Sequence, residues 1–546
     1  MRTSVPPENL PHSSGRSDAR TQFLREWIAC LAITALWFGA TAWLRPLAIP
    51  DEGRYVGVAW EMLRSGNWPV PTLDGLPFFH KPPLFYWITA GSMHLFGPSA
   101  GAARMAALLA SVVAATGLFA FVRRWVDASR AWTTVIVLAT MPIFYGGAQY
   151  ANMDMLVAGC ISVAILLAAH AALSRDEGLG YQRALALAFV AAACGVLAKG
   201  LIGVVVPALV LLAWGIATRR PGKVFALLLW APGWLLFVVV AAPWFVAMQH
   251  RFPDFAHYFF VVQHLQRFSS VGFNSPQPVW FYPVALITLT LPWSPWVVAL
   301  ARRRYWSRHE HSDVRVLMLV WLAVVTLFFS IPSSKLIGYI LPAIPPLAFL
   351  IADASRLLDR HAEATGSFAM RVWSGNRLRT ATVLLAATTC VVAIIAAHFY
   401  QPKSLQAIGV RLQALRQPDE PVIFVGHYYY DVPFYAGLVA PVVVVDPWSP
   451  VDLAQDSWRR ELVDASRFAP ADAPRRLLRP DELSAALCSA RASWVVGPWP
   501  PATQTSLLAA QDPTARSGST ALWHIVPSAP AVRTALNCRE PGDSAK

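Results

Sequence analysis

The residues best suited to chemistry in this sequence are charged side chains that follow directly on long apolar segments. Asp51, Glu52 and Arg54 come immediately after the first such segment, and a turn-rich tract then leads to a His-Lys-Pro-Pro segment at 80–83. Ionisable groups packed this densely beside a membrane are costly to place without a function. The stretch 49–87 is therefore the first candidate for an active site.

Other unusual ionisable residues recur at junctions between apolar segments, on the same side of the predicted membrane. They are Asp154, Lys199, His264, Arg267 and Lys335. Cations gathered on one face suit an anionic ligand, and beside a membrane the natural anion is a lipid phosphate. Carboxylates would repel a phosphate, so the aspartates should serve another part of the substrate: a sugar, an acceptor or a metal.

The composition identifies the scaffold that must hold these residues. Of the 546 residues, 56% are hydrophobic and only 14% charged, and the mean hydropathy is +0.45. These values indicate a polytopic membrane protein. A net charge of +14 is also found in nucleic-acid-binding proteins, but here the basic residues form short clusters between apolar spans. That arrangement is the positive-inside pattern of cytoplasmic loops, so nucleic-acid binding is disfavoured.

Apolar segments of spanning length predict about eleven helices, with a range of eleven to thirteen. They lie at 27–49, 101–122, 131–149, 154–173, 183–198, 200–217, 224–248, 280–301, 314–332, 335–353 and 379–400. The basic loops between them are assigned to the cytoplasm together with the polar tail 1–26. The opposite, outer face then carries the loops 50–100 and 249–279, which hold most of the candidate residues.

The composition changes from residue 401 onward, where Pro, Asp and Arg become frequent and short β-rich runs appear. This predicts a soluble mixed α/β domain, 401–546, on the outer face. Cys488 and Cys538 both fall in it, and an oxidising space would allow a disulfide, although the sequence leaves their pairing open. The predicted fold class is an all-α polytopic membrane bundle, 27–400, followed by this domain.

Each candidate residue also has an ordinary structural explanation. Lys and Arg at helix ends often extend to lipid head groups, and Asp51 and Glu52 are suited to the first turn of a helix. His264 alone is more often a hydrogen-bonded loop histidine, and Tyr55 and Tyr86 suit an interfacial aromatic belt. These explanations do not predict that two aspartates and several cations meet on one face.

Five of the segments also carry a resemblance to a known family. They are DEGRY at 51–55, FHKPP at 79–83 with Tyr86-Trp87, LAKG at 197–200, HLQRF at 264–268 and KLIGYILP at 335–342. In this order they resemble the bacterial 4-amino-4-deoxy-L-arabinose (aminoarabinose) lipid A transferases. Those enzymes belong to the protein O-mannosyltransferase (PMT) superfamily and share the GT-C fold of membrane glycosyltransferases. The resemblance covers about residues 48 to 350, and the C-terminal domain resembles the family's in placement only.

The resemblance implies a multi-pass enzyme of the bacterial inner membrane, with its N-terminus in the cytoplasm and its C-terminal domain in the periplasm. Such an inverting glycosyltransferase would move an amino sugar from undecaprenyl phosphate to a phosphate of lipid A, a modification of lipopolysaccharide linked to polymyxin resistance. Its partners would be the lipid-linked donor, lipid A and the membrane.

Individual positions carry over from the family to this sequence. Asp51 and Asp154 match its acidic, catalytic positions. The positions expected to hold the donor phosphate are matched by Lys81, Lys199, Arg267 and Tyr339, with Lys335 and Arg54 in support. Tyr55 and Tyr86 are assigned to substrate binding.

One position departs from the family pattern. The family commonly has glutamate before the Lys-Pro-Pro, where this chain has His80. His80 and His264 together supply two imidazoles that suit a divalent metal such as zinc. The change equally allows that no metal is used.

Three alternative functions stay open from the sequence. The same fold would suit a polyprenyl-phosphate-dependent protein O-mannosyltransferase or a lipid A hexosamine transferase. A lipid or peptide transporter is disfavoured, because the charges lie at the membrane surface and no inverted repeat is evident. The sequence does not identify the sugar, the lipid A phosphate that is modified or the oligomeric state.

Overall fold

A computed structural model describes residues 14–538, apart from 267–275, 307–310, 366–375, 401–402, 454–456, 502–507 and 510. The chain forms a helical bundle up to Phe399 and then a domain built around a β-sheet.

The bundle and its loops contain seventeen α-helices within the described ranges. They are α1 (Ser14–Gly39), α2 (Asp51–Ser65), α3 (Leu84–Phe96), α4 (Ala100–Ala103), α5 (Met105–Trp125), α6 (Ala128–Thr140), α7 (Pro142–Ala148), α8 (Met153–Asp176), α9 (Gln182–Lys199), α10 (Ile202–Ala217), α11 (Pro221–Leu228), α12 (Ala231–Arg251), α13 (Phe281–Leu289), α14 (Arg303–Trp306), α15 (Ser312–Ser330), α16 (Ile344–Thr365) and α17 (Asn376–Phe399). A π-helix covers His257–Gln266, and 3₁₀ helices cover Ser294–Ala301 and Ile337–Ala343.

Several helices are long and apolar enough to cross a membrane. Among the described residues there are seven by length and composition, or nine if each of two bent pairs is one span. The predicted span 27–49 overlaps α1, which already ends at Gly39, and the predicted span 200–217 matches α10. However, α10 has only 16 residues, and the first half of α1 is polar. A helical membrane bundle is therefore confirmed.

Proline accounts for the break in the first bent pair. Helices α6 and α7 meet at an angle of 71°, and Pro142 is the first residue of α7. Proline has no N–H to continue the hydrogen-bond ladder of a helix, so the chain turns at this point. The second pair, α13 and the 3₁₀ helix Ser294–Ala301, meets at 113°, with Pro292 between them. One helix of each bent pair, α7 and α13, lines the cavity described below.

The first outer loop consists of α2, a short hairpin and α3. Helix α2 is amphipathic and buries Val56, Ala59 and Trp60. The hairpin pairs β1 (Thr72–Leu73) with β2 (Leu76–Pro77) through a two-residue turn. Both turn residues, Asp74 and Gly75, have positive φ angles, 53° and 67°. Asp-Gly is favoured in such turns because aspartate tolerates this conformation and glycine has no Cβ to oppose it.

The C-terminal domain is a six-stranded mixed sheet covered by short helices. Its strands are β3 (Val422–Val425), β4 (Val443–Val445), β5 (Leu477–Leu478), β6 (Ser493–Pro498), β7 (Ala515–Ser517) and β8 (Thr520–Ile525). Its helices are α18 (Gln406–Leu415), α19 (Val432–Tyr435), α20 (Pro450–Leu453), α21 (Trp458–Ser466), α22 (Ala473–Arg476), α23 (Leu483–Cys488) and α24 (Pro530–Leu536), with a 3₁₀ turn at Pro480–Glu482.

The order of the strands is β5-β4-β3-β6-β8-β7, in which the first four run parallel and the last two antiparallel to their neighbours. The short β-rich runs seen in the sequence overlap β3, β4, β6 and β8. A disulfide joins Cys488 to Cys538, which answers the question of pairing that the sequence leaves open.

The C-terminal domain lies directly on the first outer loop. The Trp60 indole donates a hydrogen bond to the Leu438 carbonyl over 2.8 Å, and its ring meets that of Phe434 edge to face. The amide of Leu47, just before α2, donates to the Tyr435 hydroxyl over 2.8 Å. In open α/β sheets the carboxyl ends of parallel strands form the ligand-binding edge. Here the segment after β3, including Tyr430, packs against α2 instead.

Candidate active site

Asp51 and Arg54 form one corner of the site with a residue of the C-terminal domain. Asp51 is the first residue of α2, and its carboxylate pairs with the Arg54 guanidinium one turn later. The same guanidinium pairs with Glu461 of α21, which also accepts a hydrogen bond from the Tyr430 hydroxyl. Burial alone would lower the pKa of Arg54, but the Glu461 carboxylate raises it well above the ordinary value. We call Asp51, Arg54 and Glu461 the arginine corner.

A second corner is built entirely from the bundle. Asp154 lies in the first turn of α8, where Asn152 caps the helix by accepting from the Asp154 amide over 2.9 Å. Its carboxylate pairs with the ammonium of Lys199, the last residue of α9. That ammonium also lies 4.1 Å from the centre of the Tyr339 ring, a cation–π distance. We call Asp154, Lys199 and Tyr339 the lysine corner.

Close backbone approach keeps the lysine corner compact. Gly338 lies so near Asp154 that a Cβ on it would come within 2.7 Å of the Asp154 carboxyl carbon. Only glycine leaves room for the carboxylate at this position. Asp154 and Lys199 are both largely buried, with side chains 11% exposed.

The two aspartates line one cavity of about 680 Å³, a size typical of small-molecule sites. Its polar side also includes Tyr150, Asn152 and Lys335. Its apolar side comes from α7, α13 and the 3₁₀ helix Ile337–Ala343, and includes Ile143, Phe281, Leu289 and Leu341. The cavity therefore offers carboxylates and a cation beside a hydrocarbon surface, which suits a ligand with a charged head and an apolar tail.

Glu52 connects the two corners through buried contacts. Its side chain is fully buried and pairs with Arg45 and Arg104. It also accepts the backbone amide of Ala151, in the link that leads to Asp154, over 2.7 Å. Burial would raise the pKa of Glu52, but the two guanidiniums outweigh it and lower the pKa to about 2. Because Glu52 follows Asp51 directly, it fixes α2 relative to the start of α8.

The other predicted residues of the first loop lie nearby but do not line this cavity. His80 is buried and stacks on Phe78 with ring centres 4.3 Å apart. Lys81 is partly buried just before α3. Tyr55 packs between Arg54 and Phe85, and Tyr86 is fully buried.

Lys335 lines the cavity, yet its ammonium is already bonded to protein. It is 2% exposed and donates to the carbonyl oxygens of Gln277, over 2.9 Å, and Pro332. This geometry suits a residue that fixes the segment before the 3₁₀ helix. The remaining predicted residues cannot be compared: Arg267 and the side chain of His264 lie outside the described residues. Within the described ranges no three His, Cys, Asp or Glu side chains gather as a metal-ligand group.

Comparison with known sequences finds relatives over the part of the chain that carries most of the motifs. A model of the dolichyl-phosphate-mannose-protein mannosyltransferase family matches residues 80–246, which include Lys81, Asp154 and Lys199. Several curated relatives are named undecaprenyl phosphate-alpha-4-amino-4-deoxy-L-arabinose arabinosyl transferase. The one from Aeromonas hydrophila subsp. hydrophila is 34% identical over 334 residues, 60% of this chain and 59% of the relative. The one from Pectobacterium carotovorum subsp. carotovorum is 32% identical over 358 residues, 65% and 63% of the two chains. The chain thus spans about three fifths of the length of these relatives.

Comparison with solved structures decides the fold. The crystal structure of ArnT from Cupriavidus metallidurans bound to undecaprenyl phosphate matches with a TM-score of 0.74, at 23% identity, over 92% of this chain and 98% of that one. The chain has the fold of ArnT. The apo structure of the same ArnT gives a TM-score of 0.70, at 22% identity, over 93% and 98% of the two chains. The predicted fold class is confirmed, the matched relatives agree with the resemblance that the motifs carry, and the chain is a multi-pass membrane protein.

Two residues of this site were not predicted from the sequence. Glu461 and Tyr430 belong to the C-terminal domain, and Glu461 lies 407 residues after Arg54. Their segments, HYYYD and WRREL, carry no motif, and only the fold shows that they reach α2. Glu52 was expected in the first turn of a helix, where it lies, but its two arginine partners were not foreseen.

Proposed function

We propose that this chain transfers 4-amino-4-deoxy-L-arabinose, or a similar amino sugar, from undecaprenyl phosphate to a phosphate of lipid A. The observation that carries the proposal is the lysine corner, where Lys199, Asp154 and Tyr339 meet beside a cavity with an apolar side. The solved ArnT of the same fold is bound to undecaprenyl phosphate, and the relatives' names specify an aminoarabinose donor.

The donor phosphate would lie beside the lysine corner. In the proposed complex Lys199 and Lys81, with Arg267 and the Tyr339 hydroxyl, neutralise the charge that grows on the departing phosphate, and Lys335 holds the neighbouring segment. Preorganised donors of this kind lower a barrier by about 2.7–4 kcal/mol each in measured cases. The polyprenyl chain would follow the apolar side of the cavity formed by Phe281, Leu289 and Leu341.

The acceptor determines the role of the aspartates. A phosphate monoester on lipid A has a second pKa of about 6 and is largely ionised near neutral pH, so it needs no general base. Asp51 then orients the acceptor, and either aspartate can pair with the ammonium of the amino sugar. An acceptor oxygen attacks the anomeric carbon, the bond from that carbon to the donor phosphate breaks, and undecaprenyl phosphate leaves with the electron pair. Attack from the opposite face inverts the anomeric centre.

The reaction would take place on the periplasmic face of the inner membrane. The basic loops lie on one side of the predicted bundle, and the candidate loops lie on the other. The Cys488–Cys538 disulfide of the C-terminal domain supports an oxidising compartment for that domain. Because the domain contacts the first outer loop, the same compartment is supported for the loop.

Mass spectrometry of lipid A tests the proposal. Lipid A would be compared from cells with and without the chain, grown identically, with a Lys199→Ala variant as the inactive control. An added amino-pentose mass on a phosphate, present only with the intact chain, is expected. Unchanged lipid A in cells that contain the protein in their membranes would overturn the proposal.

A protein acceptor is the second candidate, because the family model that matches 80–246 describes protein mannosyltransferases. A Ser or Thr hydroxyl is a poor nucleophile when neutral, so Asp51 would then act as a general base. Hexose on periplasmic proteins, with lipid A unchanged, is the result that would favour this function.

A zinc ion held by His80 and His264 is a separate proposal. Two imidazoles supply half of the four ligands that zinc takes. The described residues do not supply the remaining zinc ligands. No step of the reaction above passes through a metal. Metal analysis of the purified protein tests it: about one zinc per chain, lost in His80→Ala, is expected, and a metal-free active protein would overturn it.

A further inference from the structure

The tip of the first-loop hairpin, Asp74 and Gly75, inserts into the C-terminal domain. The Asp74 side chain accepts a hydrogen bond from the Val442 amide over 2.8 Å. The backbone carbonyl of Asp74 accepts a second hydrogen bond from the Arg476 guanidinium. Asp74 is only 1% exposed. Gly75 is so close that a Cβ on it would lie 2.7 Å from the Pro441 ring. The hairpin tip is therefore held by three residues of the C-terminal domain.

The C-terminal domain also holds the other end of this segment. The ring of Phe79, two residues after β2, packs edge to face on Phe468 with ring centres 4.9 Å apart. His80 and Lys81 follow directly. The short segment from Asp74 to Phe79 is thus fixed at both ends by one domain, and Lys81 lies two residues beyond the second contact.

We propose that Asp74 is a positioning residue, which seats the hairpin tip in the C-terminal domain and thereby fixes the segment that carries Lys81. This inference rests on the proposed function, in which Lys81 binds the donor phosphate. In this way the C-terminal domain contributes to donor binding. Asp74 itself touches neither substrate nor reacting atoms.

A second carboxyl group, that of Glu61, lies behind the turn and affects the protonation state of Asp74. Glu61 of α2 accepts the Thr72 hydroxyl and the amides of Asp74 and Gly75, each over 2.7–2.8 Å. The Asp74 Oδ2 atom is buried, and no described residue donates a hydrogen bond to it. Two carboxylates so close in a buried place repel each other, so at least one is expected to hold a proton.

The groups around this acid pair are Arg476 from α22 and Tyr428 from the segment after β3. Burial raises the pKa of Glu61 to about 7, against the lowering effect of its hydrogen bonds. Burial and then Glu61 raise the pKa of Asp74 well above its ordinary value. Both pKa values are higher in the folded chain, so the hairpin tip is held most strongly in acid and less strongly as the pH rises through these raised pKa values, of which that of Glu61 is about 7.

Donor kinetics with purified full-length protein in lipid vesicles test this role. Asp74→Ala removes the acceptor of the Val442 amide and is expected to raise the donor KM about tenfold, with a smaller change in kcat. Asp74→Asn keeps the shape of a neutral acid and is expected to stay within about twofold of the wild type at pH 7. Asp419→Asn, an exposed aspartate of the same domain, is the matched control.

The pH dependence of the donor KM distinguishes this role from a purely structural one. The wild-type donor KM is expected to rise as alkaline pH ionises the acid pair, whereas that of Asp74→Asn, in which position 74 cannot ionise, stays flatter. Equal pH profiles for these two proteins would overturn the expectation that Asp74 is protonated when it holds the hairpin tip. This comparison stays informative even if Asp74→Ala fails to fold.

Hydrogen exchange separates this inference from the proposed function. The Val442 amide is expected to exchange at least tenfold faster in Asp74→Ala than in the wild type, with or without any transferase activity. If the wild type transfers no sugar, the proposed function fails while the exchange data still test the seating of the hairpin tip. An unchanged exchange rate at Val442, or an unchanged donor KM in an active Asp74→Ala protein, would overturn the inference.

Discussion

The lysine corner and the arginine corner contribute to the same cavity but are assembled from different parts of the chain. Lys199, Asp154 and Tyr339 all come from the ends of bundle helices. Arg54 is held between Asp51 of the bundle and Glu461 of the C-terminal domain. The difference indicates that the lysine corner forms within the bundle, whereas the orientation of α2 depends on the C-terminal domain.

Glu52→Gln is expected to have the largest effect, because Glu52 connects both corners. The change leaves Arg45 and Arg104 buried without a carboxylate, and breaking such a pair costs about 3–5 kcal/mol. The melting temperature of the purified protein, and its amount in the membrane, should both fall clearly.

Glu26→Gln is the matched control, since Glu26 pairs with Arg123 near the surface of the bundle. Partly exposed pairs contribute about 0–1 kcal/mol. If the two variants were equally stable, Glu52 would not be the connection between the corners.

Lys199→Ala should break the lysine corner alone. Loss of one preorganised cation is expected to lower kcat/KM for the donor by about 10²–10³-fold, and the amount of folded protein in the membrane is measured beside it. Steady-state kinetics in vesicles measure this. Lys223→Ala removes an exposed lysine that pairs with Asp176 and should keep full activity. Retention of full activity by Lys199→Ala would remove that residue from the mechanism.

Glu461→Gln should break only the arginine corner and have the smallest effect of the three. Glutamine still accepts a hydrogen bond from Arg54 but carries no charge, and a charge-assisted bond contributes about 1.5–3 kcal/mol. A loss of about tenfold in kcat/KM is therefore expected, with stability little changed. Glu482→Gln, an exposed position of the same domain, serves as the comparison. Identical kinetics for Glu461→Gln and the wild type would show that the C-terminal domain does not act on Arg54.

The sequence predicts the lysine corner better than the arginine corner, for a physical reason. Hydropathy is local along the chain, so it shows that Asp154, Lys199 and Lys335 lie at helix ends on one face. The pairing of Arg54 with Glu461 depends on how a separate domain docks, and no local pattern contains that information. The burial of Glu52 between two arginines likewise needs the packing of α2 on the helices behind it.

The same limit applies to the cavity and to the hairpin tip. The Asp-Gly turn can be predicted from its residues, but its insertion against Val442 and Arg476 cannot, because those residues follow it by hundreds of positions. The hydrocarbon side of the cavity also joins α7, α13 and a 3₁₀ helix that are far apart in sequence. Helix ends are visible in the sequence, whereas the surfaces between distant elements appear only in the fold.

In the proposed complex the donor phosphate binds at the lysine corner, with Asp51 on the same cavity. A structure of the full chain with undecaprenyl phosphate bound tests this arrangement. We expect phosphate oxygens about 3 Å from the Lys199 ammonium, with the polyprenyl chain against Phe281, Leu289 and Leu341. A phosphate bound outside this cavity, with the Lys199–Asp154 pair undisturbed, would contradict it.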